Sequence, residues 1–260
     1  MLAQITPLIL TYNEAPNLER TLTSLAWARE IVVVDSFSDD ATLAIAAQFP
    51  QVRVVQRKFA THEQQWNYGL RETGITTAWV LALDADYQLT PELIAELQTL
   101  SPAASIGGYR THFRYCVNGK PLHGSAYPPV TVLYRRTQAV YRQDGHTQRI
   151  VISGTIHDLR GYIRHDDRKP LSRWLRSQGV YAQQEATKLA EATALGVNDR
   201  IRKMRVAAPF LVFFYCLFVQ GNILDGRAGL FYAFQRLLAE TLLALNLLEK
   251  DVGLTSVSDK

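Results

Sequence analysis

Short apolar runs alternate with helical segments through the first hundred residues, and this alternation limits the fold more than any other feature. The runs ITPLIL, EIVVVD, VRVVQ and WVLALD are rich in Val, Ile and Leu. Helices are predicted between them: from Asn17 to Ala28, after Ser38, through HEQQWNYGLRE, and after Thr90 and Pro91, which suit an N-cap and a first turn. Strands separated by helices predict a parallel sheet covered on both faces.

The character of the sequence changes after Pro102. Residues 107–165 are rich in Gly, Tyr, Val, Thr and Arg and predict antiparallel strands with loops, and residues 170–195 predict a helix. An uncharged run from Val206 to Leu224 is followed by an amphipathic helix that extends to Lys250. We therefore expect a ligand-binding half over residues 1–102, a second half of the same domain over 103–198, and a helical extension over 199–260.

Composition narrows the class of protein. The 260 residues are 47% hydrophobic, which suits one medium-sized domain or a domain with a smaller appendage. The net charge is +4, but the basic residues are scattered except in DRIRKMR, and no nucleic-acid partner is expected. Two cysteines predict neither a disulfide framework nor a cysteine metal site. The start MLAQITPLIL lacks the pattern of a secretory signal, so we expect a cytoplasmic chain.

Two carboxylates, Asp84 and Asp86, follow directly on the apolar run WVLALD. Side chains alternate along an extended chain, so the two lie on the same side and can share one cation. Mg²⁺ and Mn²⁺ favour such oxygen ligands, and substrate phosphates often supply other positions. A solvated turn is the alternative for an isolated pair of this kind. Ligands of parallel sheets bind at the carboxyl ends of the strands, where TYNE and Asp35 also fall.

Four ordered motifs, PLILTYNEAPNLERTLTSL, IVVVDSFSDDAT, QQWNYGL and WVLALDADYQLTPELI, together resemble the nucleotide-sugar-binding half of glycosyltransferase family 2. The later HDDRKPLSRWL and FFYCLFVQGNILDGRAGLFYAFQR resemble bacterial members related to lipopolysaccharide-core glycosyltransferases. The resemblance implies an inverting enzyme of the GT-A type: an α/β fold with a Rossmann-like, mostly parallel sheet flanked by helices. A C-terminal helical, membrane-associated extension completes the expected fold.

The same resemblance implies residue roles. Asp84 and Asp86 take the metal-diphosphate role, and Asp35 meets the base or ribose. For Asn13 and Glu14 a helix cap with a first-turn acid is an equal alternative. Gln65 and Asn67 are expected to line the site, with a satisfied helix surface as the alternative. Arg168 and Lys169 are expected to neutralise the leaving diphosphate, with a solvated basic loop as the alternative. His62 is expected to cap a helix or to face solvent. The residues expected to contact the nucleotide sugar are Thr11, Tyr12, Asn13, Glu14, Asp35, Asn67, Asp84 and Arg168.

An inverting transfer needs a general base that takes the proton from the acceptor hydroxyl, and a carboxylate is a usual choice. Asp144 is the first candidate. Many relatives carry a His-Glu pair near this position, whereas this chain reads His146-Thr147, so the assignment stays open. Asp158, Asp166 and Asp167 are the other candidates. His165 is expected to add a nitrogen ligand to the cation or to hold a diphosphate oxygen, with a structural role as the alternative.

The apolar segment VAAPFLVFFYCLFVQGNIL is long enough to span a bilayer, but Pro209 and the sequence Gln220-Gly221-Asn222 interrupt it. The preceding basic residues favour anionic headgroups. An interfacial or re-entrant hairpin is our first interpretation, a buried dimer or domain contact the second, and a true span the third. The basic residues are Arg200, Arg202, Lys203 and Arg205.

These features predict a metal-dependent glycosyltransferase, peripheral or monotopic on the cytoplasmic membrane face, using Mg²⁺ or Mn²⁺. It would move a sugar from a nucleotide-diphosphate donor to a glycan or glycolipid hydroxyl, with a homodimer as an open possibility. One alternative is a nucleotidyltransferase, but the start of the chain lacks the Gly-rich, basic phosphate loop of that class. Another is a non-catalytic sugar-nucleotide sensor, which only a turnover measurement can exclude.

Overall fold

A computed structural model of the protein describes residues 1–144, 147–191 and 196–253. The chain forms two compact units. The first contains residues 1–121 and 127–169, and the second contains residues 122–126 and the chain from residue 170 onward. The boundaries expected at residues 102 and 198 stay a prediction.

Four parallel strands form one half of the sheet in the first unit. They are β1 (Ile5–Thr11), β2 (Ile31–Asp35), β3 (Val52–Gln56) and β4 (Trp79–Asp84), in the order β3-β2-β1-β4. This confirms the strand and helix alternation. The accompanying helices are α1 (Leu18–Ser24), α2 (Thr42–Ala46), α3 (His62–Arg71) and α4 (Pro91–Thr99).

Helix α1 is shorter than predicted, because the chain after Ser24 tightens into turns. The amides of Leu25 and Ala28 each bond a carbonyl three residues earlier, as in a 3₁₀ turn. Both side chains are buried. The apolar pattern up to Ala28 therefore predicts correctly which side chains are buried, but its prediction of a helix over the last residues is wrong.

The remaining strands of the first unit make the sheet mixed. They are β5 (Tyr87–Leu89), β6 (Ile106–Val117), β7 (Lys120–Pro121), β8 (Val130–Arg135), β9 (Ala139–Asp144), β10 (Thr147–Ile152) and β11 (Thr155–His165). The sheet continues from β4 in the order β8-β6-β11-β5, and β9 with β10 forms a separate antiparallel pair. The expectation of antiparallel strands after residue 107 is wrong for one pair, since β6 and β11 run parallel.

The core lies on both faces of the sheet, as the sequence predicts. Neighbouring residues of β1 show this, because Leu8 packs in the cluster that contains Trp66 of α3, while Ile9 packs in the cluster that contains Leu22 of α1 and Leu93 of α4. All five of these side chains are buried. Burial on both faces explains why the strands read as continuous apolar runs.

The second unit is helical: α5 (Leu171–Glu191), α6 (Val197–Arg202), α7 (Ala207–Phe214) and α8 (Arg227–Asp251). Helix α7 continues as a π-helical turn over Tyr215–Val219, and the left-handed backbone of Gly221 (φ 72°) ends it. Among the described residues, α8 alone has the length and composition of a membrane span. A core helix of a soluble protein meets the same criterion, so this property alone does not place α8 in a membrane.

Candidate active site

The ends of β1, β2 and β4 meet at one edge of the sheet. Thr11 is the Cα partner of Asp35, and Leu10 is the partner of Asp84. The Thr11 hydroxyl donates a hydrogen bond to Asp35 Oδ1 at 2.9 Å, and the amide of Ser38 donates to Asp35 Oδ2 at 2.9 Å. Asp35 is fully buried and thus fixes the loop after β2. A contact between Asp35 and a nucleotide stays a prediction.

The loop after β1 is fastened to the loop before α2. Asn13 has a left-handed backbone (φ 56°), and its side-chain amide donates to Asp39 Oδ1 at 2.6 Å while its oxygen accepts the Asp39 amide at 2.8 Å. The amide of Glu14 donates to Thr42 Oγ1 at 2.7 Å. Tyr12 is more than half exposed beside them. The loop is therefore held in one conformation, with the Tyr12 ring exposed to solvent.

Asp86 and His165 are brought together by the short strand β5. Tyr87 at the start of β5 is the Cα partner of His165 at the end of β11, and His165 Nε2 lies 3.2 Å from Asp86 Oδ2. Asp86 is buried, and its Oδ1 atom has no hydrogen-bond partner among the described residues. Asp84 is open to solvent at the end of β4. The edge thus carries two carboxylates and an imidazole.

The electrostatics of these groups follow from burial and from one another. Burial opposes the charge on Asp86, but His165 and Lys169 outweigh it and lower the pKa of Asp86 to about 2. Burial likewise opposes the charge on His165, but Asp86 and Asp84 raise its pKa above the ordinary value. Asp84 is exposed as a whole residue, but desolvation of its carboxylate and the neighbouring Asp86 raise its pKa, and the carboxylate accepts a hydrogen bond from Tyr87. The pair therefore favours an anionic Asp86 beside a cationic His165.

Lys169 lies beside these groups. Its Nζ is 2.7 Å from Glu14 Oε1 and 3.5 Å from Asp167 Oδ1. The side-chain amide of Asn17 joins the same two acids, at 2.9 Å from each. Burial lowers the pKa of Lys169, but Glu14, Asp86 and Asp167 together raise it above the ordinary value. Lys169 is therefore a fixed cation near Asp86, and the interpretation of this residue as part of a solvated loop is wrong.

Asp166 holds the segment after β11 in place. Its carboxylate accepts hydrogen bonds from Arg20 Nη1 at 2.8 Å, Arg168 Nε at 2.9 Å and the amide of Gly119 at 3.0 Å. Its side chain is 2% exposed. Three donors on a buried carboxylate favour a positioning role over proton transfer. The role of Asp166 as a general base stays a prediction.

The other candidate bases are also paired. Asp144 Oδ2 lies 2.9 Å from Arg149 Nη2, at the end of the β9–β10 pair where Asp144 and Thr147 are Cα partners. Asp158 of β11 pairs with the guanidinium of Arg110 on β6, and this hydrogen bond lowers the pKa of Asp158. Gly145 and His146, and the side chain of Thr147, lie outside the described part of the chain, so the comparison with a His-Glu pair does not extend to the structure.

The helix α3 residues have structural contacts. The side-chain amide of Asn67 donates to the carbonyl of Tyr141 and its oxygen accepts the Tyr141 amide, both at 2.9 Å, which ties α3 to β9. Gln65 is fully buried and donates to Ser36 Oγ. The hydroxyl of Thr61 accepts a hydrogen bond from the amide of Gln64 and thereby caps α3, so His62 is not the cap. Asn67 as a nucleotide-sugar contact stays a prediction.

Sequence reasoning missed an aromatic cluster around His165. Ring centroids lie 4.8 Å from it for Tyr115, 5.1 Å for Tyr87 and 6.1 Å for Tyr127. The rings of Tyr115 and Tyr127 stack on each other with an interplanar angle of 8°. These residues come from β5, β6 and the loop before β8, so only the strand order β6-β11-β5 assembles them.

The family model described as Glycosyl transferase family 2 matches residues 8–169, which is more than half of the chain and contains every site residue described above. The chain belongs to glycosyl transferase family 2. It is therefore a glycosyltransferase, of a family that uses nucleotide-sugar donors. The mostly parallel sheet flanked by helices is the GT-A fold that the motifs predicted, and the C-terminal helix is apolar.

Curated relatives of this glycosyltransferase are distant. An uncharacterized glycosyltransferase of Rickettsia bellii is 28% identical over 157 residues, which is 60% of this chain and about half (51%) of that relative. One of Rickettsia felis is 24% identical over 260 residues, covering 92% of this chain and 91% of the relative. The succinoglycan biosynthesis protein ExoO of Rhizobium meliloti is 33% identical over 108 residues, which is 38% of this chain and 30% of ExoO.

Solved structures of similar shape are also distant in sequence. S. aureus TarS 1–349 in complex with UDP-GlcNAc has a TM-score of 0.48 and 15% identity, with 96% of this chain and 92% of TarS covered. Glucosyl-3-phosphoglycerate synthase from Mycobacterium tuberculosis, solved with Mn²⁺, UDP and phosphoglyceric acid, has a TM-score of 0.47 and 16% identity, with 75% and 80% covered.

Proposed function

We propose that this glycosyltransferase is a metal-dependent, inverting enzyme that moves a sugar from a nucleotide-diphosphate donor to a hydroxyl of an envelope glycan or glycolipid. We further propose that it works at the cytoplasmic face of the membrane. One observation carries the proposal: Asp86 presents a buried carboxylate oxygen with no hydrogen-bond partner in the described part of the chain, at the edge where the strand ends meet, and His165 lies 3.2 Å from its other oxygen. A buried acceptor without a partner is costly unless a ligand satisfies it.

The residues present fit a divalent cation that is completed by substrate. In the described ranges, no three His, Cys, Asp or Glu side chains already converge as a metal site. Mg²⁺ is commonly held by one or two carboxylates while substrate phosphates and waters fill the other positions. Asp86 and Asp84 would hold the ion, with His165 beside them, and the ion would neutralise the charge of the diphosphate.

Lys169 suits the leaving diphosphate. It is a partly buried cation whose charge already interacts with Asp86 and is balanced by Glu14 and Asp167. A nucleoside diphosphate would bring further negative charge close to Lys169. The ammonium group of Lys169 would stabilise the negative charge that develops on the diphosphate as its bond to the sugar breaks. Arg168 is less available for this role, because its Nε atom is bound to Asp166.

The transfer itself requires one base. The acceptor oxygen attacks the anomeric carbon and forms the new glycosidic bond, the bond from that carbon to the diphosphate breaks, and the nucleoside diphosphate leaves with the electron pair. A carboxylate takes the acceptor proton. Asp144 is our choice over Asp166, which is buried among three donors. Asp144 and Asp158 each pair with an arginine, but the Asp158 side chain is 55% exposed and that of Asp144 is 23% exposed.

Membrane attachment is proposed from the second unit alone. Four Phe side chains of the α7–α8 region are at least half exposed, and Val219 and Leu224 between the two helices are more than 70% exposed. Exposed apolar surface of this extent marks a protein or membrane contact. Basic residues precede it, and apolar burial and headgroup attraction reinforce each other at an anionic surface. A dimer surface is the competing interpretation. The Phe residues are Phe210, Phe214, Phe218 and Phe234.

Calorimetric titration with nucleoside diphosphates tests the donor half of this proposal. Binding is expected to require Mn²⁺ or Mg²⁺, to weaken strongly in EDTA, and to weaken similarly in Asp86→Ala. Asp158→Ala, on an exposed surface, is the matched control and should bind like the wild type. Equal affinity in all four measurements would remove the metal from the proposal.

A further inference from the structure

One face of the β6–β11 pair is exposed and rich in cations. The exposed side chains of β6 on this face are Arg110, His112 and Arg114, and in β11 Asp158 and Arg164 are exposed. The two strands run parallel with the Cα partners Arg110 and Asp158, His112 and Tyr162, and Arg114 and Arg164. The charges of successive cross-strand pairs can therefore be compared.

The first and the last of these pairs differ in charge balance. Arg110 forms an ion pair with Asp158 directly across the strands. Arg114 instead has Arg164 as its Cα partner on the neighbouring strand. Within the described ranges, neither of these two guanidinium groups forms an ion pair or a hydrogen bond with a carboxylate. Like charges at directly opposite positions of neighbouring strands are unfavourable, and an anion bound by both would offset that repulsion.

The two arginines are also placed to act together. The guanidinium of Arg114 lies over the ring of Tyr162, 4.7 Å from its centroid, and this stacking limits the directions that it takes. An arginine fork matches two oxygens of a phosphate group, and two neighbouring forks suit one compact tetrahedral anion.

We propose that Arg114 and Arg164 form an anion-binding pair and that its ligand is a phosphate group carried by the acceptor glycan. The acceptor part rests on the proposed function. Tyr115 and His165 directly follow the two arginines and are themselves Cα partners, so the pair lies one strand residue from the aromatic cluster. Because side chains alternate between faces, the pair points to the opposite face from His165. It therefore binds a part of the acceptor away from the reacting hydroxyl.

A membrane headgroup is the competing occupant, and the surroundings favour the acceptor. The neighbours of the pair on this face are His112 and the Tyr162 ring rather than a broad apolar surface. The largest group of exposed large apolar side chains lies instead in α7, α8 and the turn between them, and among the described residues of β6 and β11 only Ile156 is of this kind. Two forks side by side match one phosphate group, whereas a lipid surface requires charges spread over a wider area.

Titration with inorganic phosphate tests the pair directly. Metal-free protein in EDTA is followed by ¹⁵N NMR of the arginine side chains. Saturable shifts are expected for the Nε signals of Arg114 and Arg164, and the double variant R114Q/R164Q should bind phosphate roughly tenfold more weakly or worse. Arg110→Gln is the matched control, because the charge of Arg110 is already balanced by Asp158, and it should bind like the wild type. An unchanged affinity in the double variant overturns the proposal.

Two further measurements identify the source of the phosphate. Flotation with phosphatidylglycerol vesicles should give equal binding of wild type and R114Q/R164Q, and a loss in the double variant would assign the pair to lipid headgroups and overturn the acceptor assignment. Hydrolysis of the donor with Mn²⁺ should persist in the double variant. If the wild type hydrolyses no nucleotide sugar yet binds phosphate at the pair, the proposed function and the acceptor assignment fall while the anion site stands.

Discussion

The imidazole of His165 lies 3.2 Å from the carboxylate of Asp86, although 79 residues separate them in sequence. Strand β5 makes this contact possible, because it turns the chain directly after Asp86 to pair antiparallel with the end of β11. The amide of Asp166 also donates to the carbonyl of Asp86 at 3.1 Å. The contact therefore joins the carboxyl ends of the parallel strands β1 to β4 to the end of β11, which follows the other strands of the sheet in sequence.

The first prediction concerns pH and the stability of the metal-free protein. Burial lowers the pKa of His165, but Asp86 and Asp84 raise it above 6.5, so its stabilising contribution is complete below pH 6.5 and is lost as the pH rises through that raised pKa. The pKa of Asp86 is lowered from 3.8 to about 2, so its contribution is present above pH 3.8 and lost as the pH falls towards 2.

The free energy of unfolding in EDTA should therefore differ most between wild type and Asp86→Asn from pH 3.8 to 6.5. Denaturant titrations at several pH values measure this difference, and it should shrink as the pH rises further. His165→Gln should remove most of the pH dependence above 6.5. A difference that is constant from acid to alkaline pH would show that the two groups do not interact electrostatically.

The second prediction separates a positioning carboxylate from a surface one. Asp166→Asn should lower the free energy of unfolding by about 2 kcal/mol, because Asp166 is buried and its loss leaves Arg20 and Arg168 without their shared acceptor. Asp158→Asn should leave stability unchanged, since exposed ion pairs contribute little. Urea denaturation measures both variants. Equal stability of the two would contradict the positioning role of Asp166.

The sequence predicted correctly those parts of the fold that depend on a local apolar pattern and on the parallel order of the first four strands. The apolar runs placed β1 to β4, and the rule that parallel strands end at one edge brought Thr11, Asp35 and Asp84 together. The contacts that sequence reasoning missed depend on nonlocal pairing. Tyr87 to Leu89 gives too short an apolar signal to predict β5, and the parallel pairing of β6 with β11 cannot be read from alternation, which is the same in parallel and antiparallel strands.

The ion-pair network shows the same limit. The segment HDDRKP predicted acids and bases near the site, but which of them pair depends on how α1 packs against the end of β11. Arg20 and Asn17 of that helix region bind Asp166 and Asp167, and no short-range motif signals a contact over 146 or 150 residues. The two candidate bases in this segment are thus distinguished by burial and donors rather than by sequence.

The third prediction concerns the general base. Asp144→Asn keeps the size of the side chain but removes its basicity, so turnover should fall by about a hundredfold to ten-thousandfold while donor affinity stays unchanged. Steady-state kinetics and calorimetry measure the two quantities. Arg149→Gln, which removes the ion-pair partner of Asp144, is the matched control for a purely structural effect. Near-normal turnover of Asp144→Asn, with loss in Asp158→Asn or Asp166→Asn, moves the assignment to that residue.

The fourth prediction concerns the membrane, and the structure changes the variants that test it. Arg202 lies 3.3 to 3.4 Å from the buried acids Glu185 and Glu240, and Arg205 pairs with Asp251, so replacing these arginines would disturb the helices as well. Arg200 and Lys203 are the better choice, because the described residues contain no ion pair with either.

Arg200→Gln/Lys203→Gln should release a measurable fraction of protein from anionic vesicles, since each basic residue contributes on the order of 1 kcal/mol near such a surface. Phe214→Ser/Phe218→Ser should weaken the binding that remains at high salt, because both side chains are more than half exposed. Vesicle flotation measures both effects. Wild-type protein that does not bind vesicles even at low salt would assign the apolar surface to a dimer or an internal contact.

The turnover of nucleotide sugars tests the central claim most directly. Purified protein is incubated with a set of nucleotide-diphosphate sugars, with Mn²⁺ or with EDTA, and the released nucleoside diphosphate, free sugar and sugar 1-phosphate are measured. We predict that Mn²⁺ supports slow hydrolysis of one donor to nucleoside diphosphate and sugar, and that EDTA and Asp86→Ala abolish it. Release of sugar 1-phosphate would instead indicate a nucleotidyltransferase, and binding without turnover a sensor. Hydrolysis that is equally fast in EDTA would contradict the metal-dependent mechanism.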